Sequence, residues 1–130
     1  MNIVIGYDGT NESKNALNLA KFHAKSFNAK VFAVASLTGG KETLPADIET
    51  AEQDLEYAQG VFEAESISCE KHLLIRGMSP GEDLVQFAED SRADEIIIGV
   101  RKRSKVGKLL FGSTAQYVIL NSPCPVVTVR

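Results

Sequence analysis

EIIIGVRKRSKVGKLLFGSTA, residues 95–115, decides between fold classes. Glu95 to Gly99 is an unbroken apolar run closed by a glycine. A run without polar alternation predicts a strand buried on both faces, and here the most central one. Five Lys/Arg follow (Arg101, Lys102, Arg103, Lys105, Lys108) with no acid, and Gly99, Gly107 and Gly112 punctuate the stretch. Gly112-Ser113-Thr114 then opens a predicted helix over Ser113 to Leu120, with Ala115, Val118 and Ile119 facing inward. Pro123-Cys124-Pro125 stops that helix, and Val126 to Val129 is a last short strand. The unit is strand, basic loop, helix, strand.

Upstream, strands and helices also alternate, with no internal repeat, linker or low-complexity segment. Ile3-Val4-Ile5 is a short apolar strand ending at Asp8-Gly9-Thr10. Asn11 to Phe27 places Ala16, Leu17, Ala20, Ala24 and Phe27 at helical spacing, and Asn28 is a helix stop. Val31 to Leu37 is a second strand, Lys41 to Asp47 a loop, and a helical pattern begins at Ile48. Cys69 to Ile75 is a third strand, more polar at its start, which suits a sheet edge. Ser79-Pro80-Gly81-Glu82 is a helix start, with a Ser cap, Pro at the first helical position and Glu three residues on. Strict alternation of five strands and four helices predicts a single α/β domain over residues 1–130. It is a three-layer α/β/α sandwich around a parallel sheet in flavodoxin-like order 3-2-1-4-5. The switch point then lies between strands 1 and 4, where such sheets bind ligands at the strand ends. Gly6-Tyr7-Asp8-Gly9 and the basic loop leave the sheet there.

Composition narrows the function. Apolar residues make up 44% and charged residues 24%, an ordinary globular balance. No apolar run approaches a membrane span and the N-terminus carries no signal-peptide pattern, so the expected compartment is the cytoplasm, with no membrane partner. Net charge is −3, unevenly placed: residues 1–100 carry eight Lys/Arg against seventeen acids, and residues 101–130 carry six Lys/Arg and no acid. An acidic body with one basic loop is a poor nucleic-acid binder and suits a small anion held at one place. Cys69 and Cys124 are expected to be reduced thiols, and His23 and His72 are isolated.

A helix N-terminus offers free N–H groups and a partial positive charge to an anion. Gly112 lets backbone approach a phosphate, Ser113 and Thr114 add hydroxyls, and Arg101, Lys102 and Arg103 add charge. Gly99 leaves room for a ribose or base. Asp8 is placed to accept from an adenine amino group or a ribose hydroxyl, or to meet a metal ion carried by phosphates; no metal site is expected from the protein alone. The plainer readings are turns needing positive φ at the glycines, a Ser113 cap and an Asp8-Gly9 turn dipeptide. No Walker A loop and no G-x-G-x-x-G occurs at the proper place. No nucleophile or base is placed at the expected crevice, so no catalytic residue is assigned.

The chain resembles the universal stress protein family along its whole length. Ile3-Val4-Ile5-Gly6-Tyr7-Asp8-Gly9-Thr10, Ala93 to Gly99, Gly112-Ser113 and Ser122 to Val129 carry the resemblance. The family's ATP-binding signature is Gly, two residues, Gly, nine residues, Gly-Ser/Thr. Gly99 and Gly112-Ser113 fit it, and Lys102 stands where the middle glycine is expected. The resemblance implies that a base sits against Gly6, Asp8 and Ser36. Proline is common in the family where Gly6 stands, and valine where Ser36 stands. It implies ATP or AMP as ligand, with or without Mg²⁺, and a homodimer through strand 5, residues 125–130. Three functions follow as expectations. The first is a stress or signalling protein whose bound nucleotide alters its dimer or a protein partner. The second is a nucleotide-independent dimeric adaptor whose basic loop meets an acidic protein. The third is a slow phosphohydrolase with Asp8 helping to hold a metal.

Overall fold

A computed structural model describes residues 1–101, 103–105, 108–110 and 112–130, without the side chains of 103–105 and 108–110. Its centre is β1 (Asn2–Gly6), a parallel partner to β2 (Lys30–Leu37) on one side and β4 (Glu95–Gly99) on the other. β3 (Cys69–Ile75) lies outside β2 and β7 (Val126–Val129) outside β4, giving the order β3-β2-β1-β4-β7. This is the expected 3-2-1-4-5 sheet; its fifth strand is β7 because two more strands precede it. Both ends of the sheet are edges, as anticipated for the third and last strands.

The apolar runs are buried on both faces, as their lack of alternation requires. Ile3, Ile5, Val31, Ala33 and Ile97 pack under α1 (Asn11–Phe27) and α2 (Pro45–Ala64), against Ala16, Ala20, Leu55 and Phe62. Val4, Val34, Ile96 and Ile98 pack on the opposite face under α3 (Pro80–Asp90) and α4 (Ser113–Asn121), against Leu84, Ala88, Ala115 and Val118. The three layers follow from the chain reversing direction across β1 between β3 and β4.

Local chemistry sets the helix limits. Thr10 caps α1 by accepting from the Ser13 N–H, and Asn28 closes it in the left-handed region at φ 51°. Ser79 caps α3 with Pro80 following it. α2 starts at Pro45, one turn before the expected Ile48. Proline suits a first turn, and the Asp47 carboxylate accepts from the Leu44 N–H at 2.9 Å. A short 3₁₀ turn, Gly40–Glu42, occupies part of the expected loop.

Three expectations need correction. The stretch expected as a plain basic loop contains an antiparallel ribbon of β5 (Arg103–Lys105) and β6 (Lys108–Leu110). Strands of three residues are too short for a period-two alternation to show in sequence. Ile119 is exposed at 43%; the buried residues of α4 are Ala115 and Val118. Phe27 is also exposed, since it lies in the final turn of α1 beyond the core contact of Ala24. Among the described residues no helix is long and apolar enough to cross a membrane.

Candidate functional site

In a parallel α/β sheet each strand's C-terminal end leads into the N-terminus of the next helix. Four helix starts therefore surround one crevice here. It is a cavity of about 660 Å³ at the ends of β1, β2 and β4. Thr10 and Ser13 from α1, Asp47 and Thr50 from α2, Pro80 and Leu84 from α3, and Gly112 and Thr114 from α4 line it. The positive ends of four helix dipoles converge on this volume.

The cavity has two unlike ends. Val34, Ala35, Leu37, Ala51 and Leu84 make an apolar end around β2. Arg101 and the start of α4 make a polar end beyond β4. β2 and β4 flank β1, two strand spacings or roughly 10 Å apart. The N-cap of α4 is Gly112, which brings no side-chain cap. The first-turn amides of an α-helix have no partner within the helix, so these remain for an anion.

Asp8 is exposed and tied into the β1–α1 turn. Its Oδ1 accepts from the Thr10 N–H at 3.1 Å and from the Thr10 hydroxyl at 2.6 Å. Oδ2 makes no bond among the described residues. The turn-dipeptide reading of Asp8 is thus right as far as it goes, and one oxygen remains available at the cavity. Gly9 turns with φ 78°, with the Asp54 carboxylate against it. Asp8, Glu12, Asp47 and Asp54 give that side of the cavity an acidic wall. A hydrogen bond from its own backbone N–H, helped by Arg101 3.5 Å away, holds the Glu12 carboxyl below its usual range. Tyr7 stacks on Tyr57 at 6.4 Å, and burial, followed by Tyr57, Asp54 and Asp8, pushes its hydroxyl up to about 12.

Ser36 sits at the end of β2 and lines the cavity, and its hydroxyl donates to Asp83 Oδ2 at 2.7 Å. Asp83 is fully buried in the first turn of α3. Its Oδ1 receives the Arg76 Nε–H at 2.6 Å, and the Arg76 Nη2 also pairs with it. Two strands and a helix are thereby pinned beside the apolar end.

Of the residues proposed from sequence, Gly6, Asp8, Ser36, Gly99, Arg101, Gly112 and Thr114 come together on the cavity wall. Ser113 is on the exposed side of the first turn of α4 and does not line the cavity. Lys102 lies outside the described residues, as does the side chain of Arg103. The two signature glycines have unexpected reasons. Neither has positive φ. A Cβ on Gly99 would strike the backbone of Glu12 and Ser13, so this glycine admits α1 against the end of β4 while also lining the cavity. Among the described residues no group of three or more His, Cys, Asp or Glu is arranged to hold a metal ion.

Sequence reasoning passed over Asp83, Asp54 and Tyr7. Asp83 and Asp54 each carry a signal, an acid beside an apolar stripe at helical spacing (Leu84 and Ala88; Ala51, Leu55 and Ala58). Tyr7 reads only as the residue after a strand.

The family model that matches the chain is that of the universal stress protein family, over residues 1–130. A universal stress protein of Thermus aquaticus is 34% identical over 135 residues, covering 98% of this chain and 97% of that protein. The solved structure of a universal stress protein from Archaeoglobus fulgidus has TM-score 0.92 and 39% identity, covering 100% of this chain and 98% of that one. A universal stress protein from Archaeoglobus fulgidus in complex with dAMP has TM-score 0.86 and 34% identity, with the same coverage.

Proposed function

The chain belongs to the universal stress protein family, and from that premise we propose that it binds an adenine nucleotide, AMP or ATP, in the cavity between β1 and β4. The base would occupy the apolar end by Gly6 and Ser36. The phosphates would lie on the start of α4, at Gly112, Ser113 and Thr114, with Arg101, Lys102 and Arg103 supplying charge. Asp8 Oδ2 would accept from a ribose hydroxyl. With ATP·Mg²⁺, the same Asp8 oxygen would instead be the group to meet the ion carried by the phosphates.

The observation that carries this reading is the two-ended cavity. Its size suits a nucleotide, its apolar end suits a flat base, and its other end is an uncapped helix N-terminus. The dAMP complex of a 34% identical relative supports the same choice of ligand. Occupancy would alter the shape of a homodimer paired through residues 125–130, or its choice of protein partner. We place this activity in the cytoplasm, as a stress-response signal to a protein partner.

Titration calorimetry with AMP and with ATP·Mg²⁺ tests the proposal, alongside mass spectrometry of nucleotide released on denaturation. Saturable binding is expected, and Gly112→Val should weaken it by roughly tenfold or more by blocking approach to the helix start. Absence of binding in calorimetry together with absence of co-purified nucleotide would refute it.

A further inference from the structure

The Ser36 hydroxyl has only one use left for its proton. Its neighbour Asp83 carries a carboxylate paired with the Arg76 guanidinium, and such a carboxylate accepts hydrogen bonds and donates none. Ser36 must therefore be the donor in the 2.7 Å bond between them. With its proton committed, Ser36 Oγ can only accept from whatever occupies the cavity it lines. Asp83 is fully buried and anchored from its other oxygen, so this polarity is built into the fold.

We propose that the Ser36–Asp83–Arg76 relay is a specificity device: it makes the apolar end of the cavity select a purine bearing a 6-amino group over one bearing a 6-oxo group. This inference rests on the nucleotide-binding reading above and names the feature that chooses the base. A 6-amino group donates to the acceptor-only Ser36 Oγ. A 6-oxo group would set two lone-pair oxygens against each other and leave both without a donor, which is the costly case. Ser36 is the selecting residue; Asp83 and Arg76 act through it and are positioning residues.

AMP and inosine monophosphate differ at the 6-position and the adjoining ring nitrogen, so their affinity ratio is the readout. The protein should prefer AMP by roughly tenfold or more. Ser36→Ala removes the acceptor and should bring the two affinities within about threefold, whereas Ser36→Thr, which keeps a hydroxyl, should retain the preference. Asp83→Asn is the more demanding variant. Arg76 holds the oxygen of the new amide, leaving its NH₂ to donate to Ser36 Oγ. The Ser36 proton then turns to the cavity, and inosine monophosphate should gain on AMP. If Asp83→Asn does not fold, the two Ser36 variants decide the matter alone. Equal affinities in the unaltered protein, or an AMP preference that survives Ser36→Ala, overturn the device while leaving nucleotide binding intact. Failure of both nucleotides to bind the unaltered protein overturns the binding reading itself, and this inference with it.

Discussion

Gly99→Ala and Gly112→Ala make a paired experiment on the two ends of the signature stretch. A Cβ on Gly99 would lie 2.6 Å from both the Glu12 carbonyl oxygen and the Ser13 nitrogen, and nearer still to the Glu12 carbonyl carbon. Ordinary contact begins at 3.4 Å, so the two backbones must part by about 1 Å. Neither side yields easily. Ser13 N–H is held by the Thr10 hydroxyl and Lys14 N–H by the Thr10 carbonyl, while β4 is locked between β1 and β7. Overpacking against backbone on both sides costs at the upper end of the usual range, about 3 kcal/mol. With an unfolding entropy of about 2.1 cal/mol/K per residue, a chain of 130 residues loses roughly 11 °C of Tm. Gly112 has extended backbone (φ −64°, ψ 163°), and a Cβ there would meet no described atom within 4 Å. Its substitution costs only the difference between Gly and Ala at an N-cap, under about 1 kcal/mol or roughly 4 °C. Thermal scans by circular dichroism on the two variants measure both shifts. A Gly99→Ala protein melting within 3 °C or so of Gly112→Ala would refute the assignment of Gly99 to helix–strand packing.

Three other outcomes are expected. Asp83→Ala strips the partner from Arg76 and from the Ser36 hydroxyl and should cost about 3 kcal/mol in urea unfolding, the low end for a broken buried pair because Arg76 reaches solvent; a loss under about 1 kcal/mol would contradict it. Tyr7 has its folded pKa raised to about 12 against 10.0 unfolded, so the unfolded chain sheds the proton first as pH rises. Stability from this group is complete below pH 10 and falls between pH 10 and 12, by at most about 2–3 kcal/mol; Tyr7→Phe should flatten the alkaline decline relative to the unaltered protein, and identical pH profiles would count against it. Sedimentation velocity at micromolar concentration should show a dimer, since β7 is an edge strand with no sheet neighbour beyond it among the described residues; a monomer across that range would remove the edge-pairing proposal.

What was legible in the sequence divides by the range of the interaction that determines it. Strand positions, the Thr10, Asn28 and Ser79 boundaries and the strand order rest on local periodicity, on capping chemistry and on the handedness of crossovers. The location of the cavity follows from the order, because the switch point is a topological consequence and needs no side chain to be known. The reasons behind individual residues do not follow. Gly99 and Glu12 are 87 positions apart, and nothing near Gly99 in sequence announces that α1 will press on it. Ser36 and Asp83 are 47 apart and Arg76 and Asp83 only 7, yet neither bond shows in a periodicity. The polarity of one hydroxyl at the site is therefore set by a carboxylate on a different helix and a guanidinium beyond a different strand. A valine at position 36 would offer a base only its backbone. A serine there adds a side-chain acceptor, and it can do so in one sense only because the fold delivers Asp83 to its proton. The direction of that hydroxyl is thus fixed by a buried acid that lies in no motif.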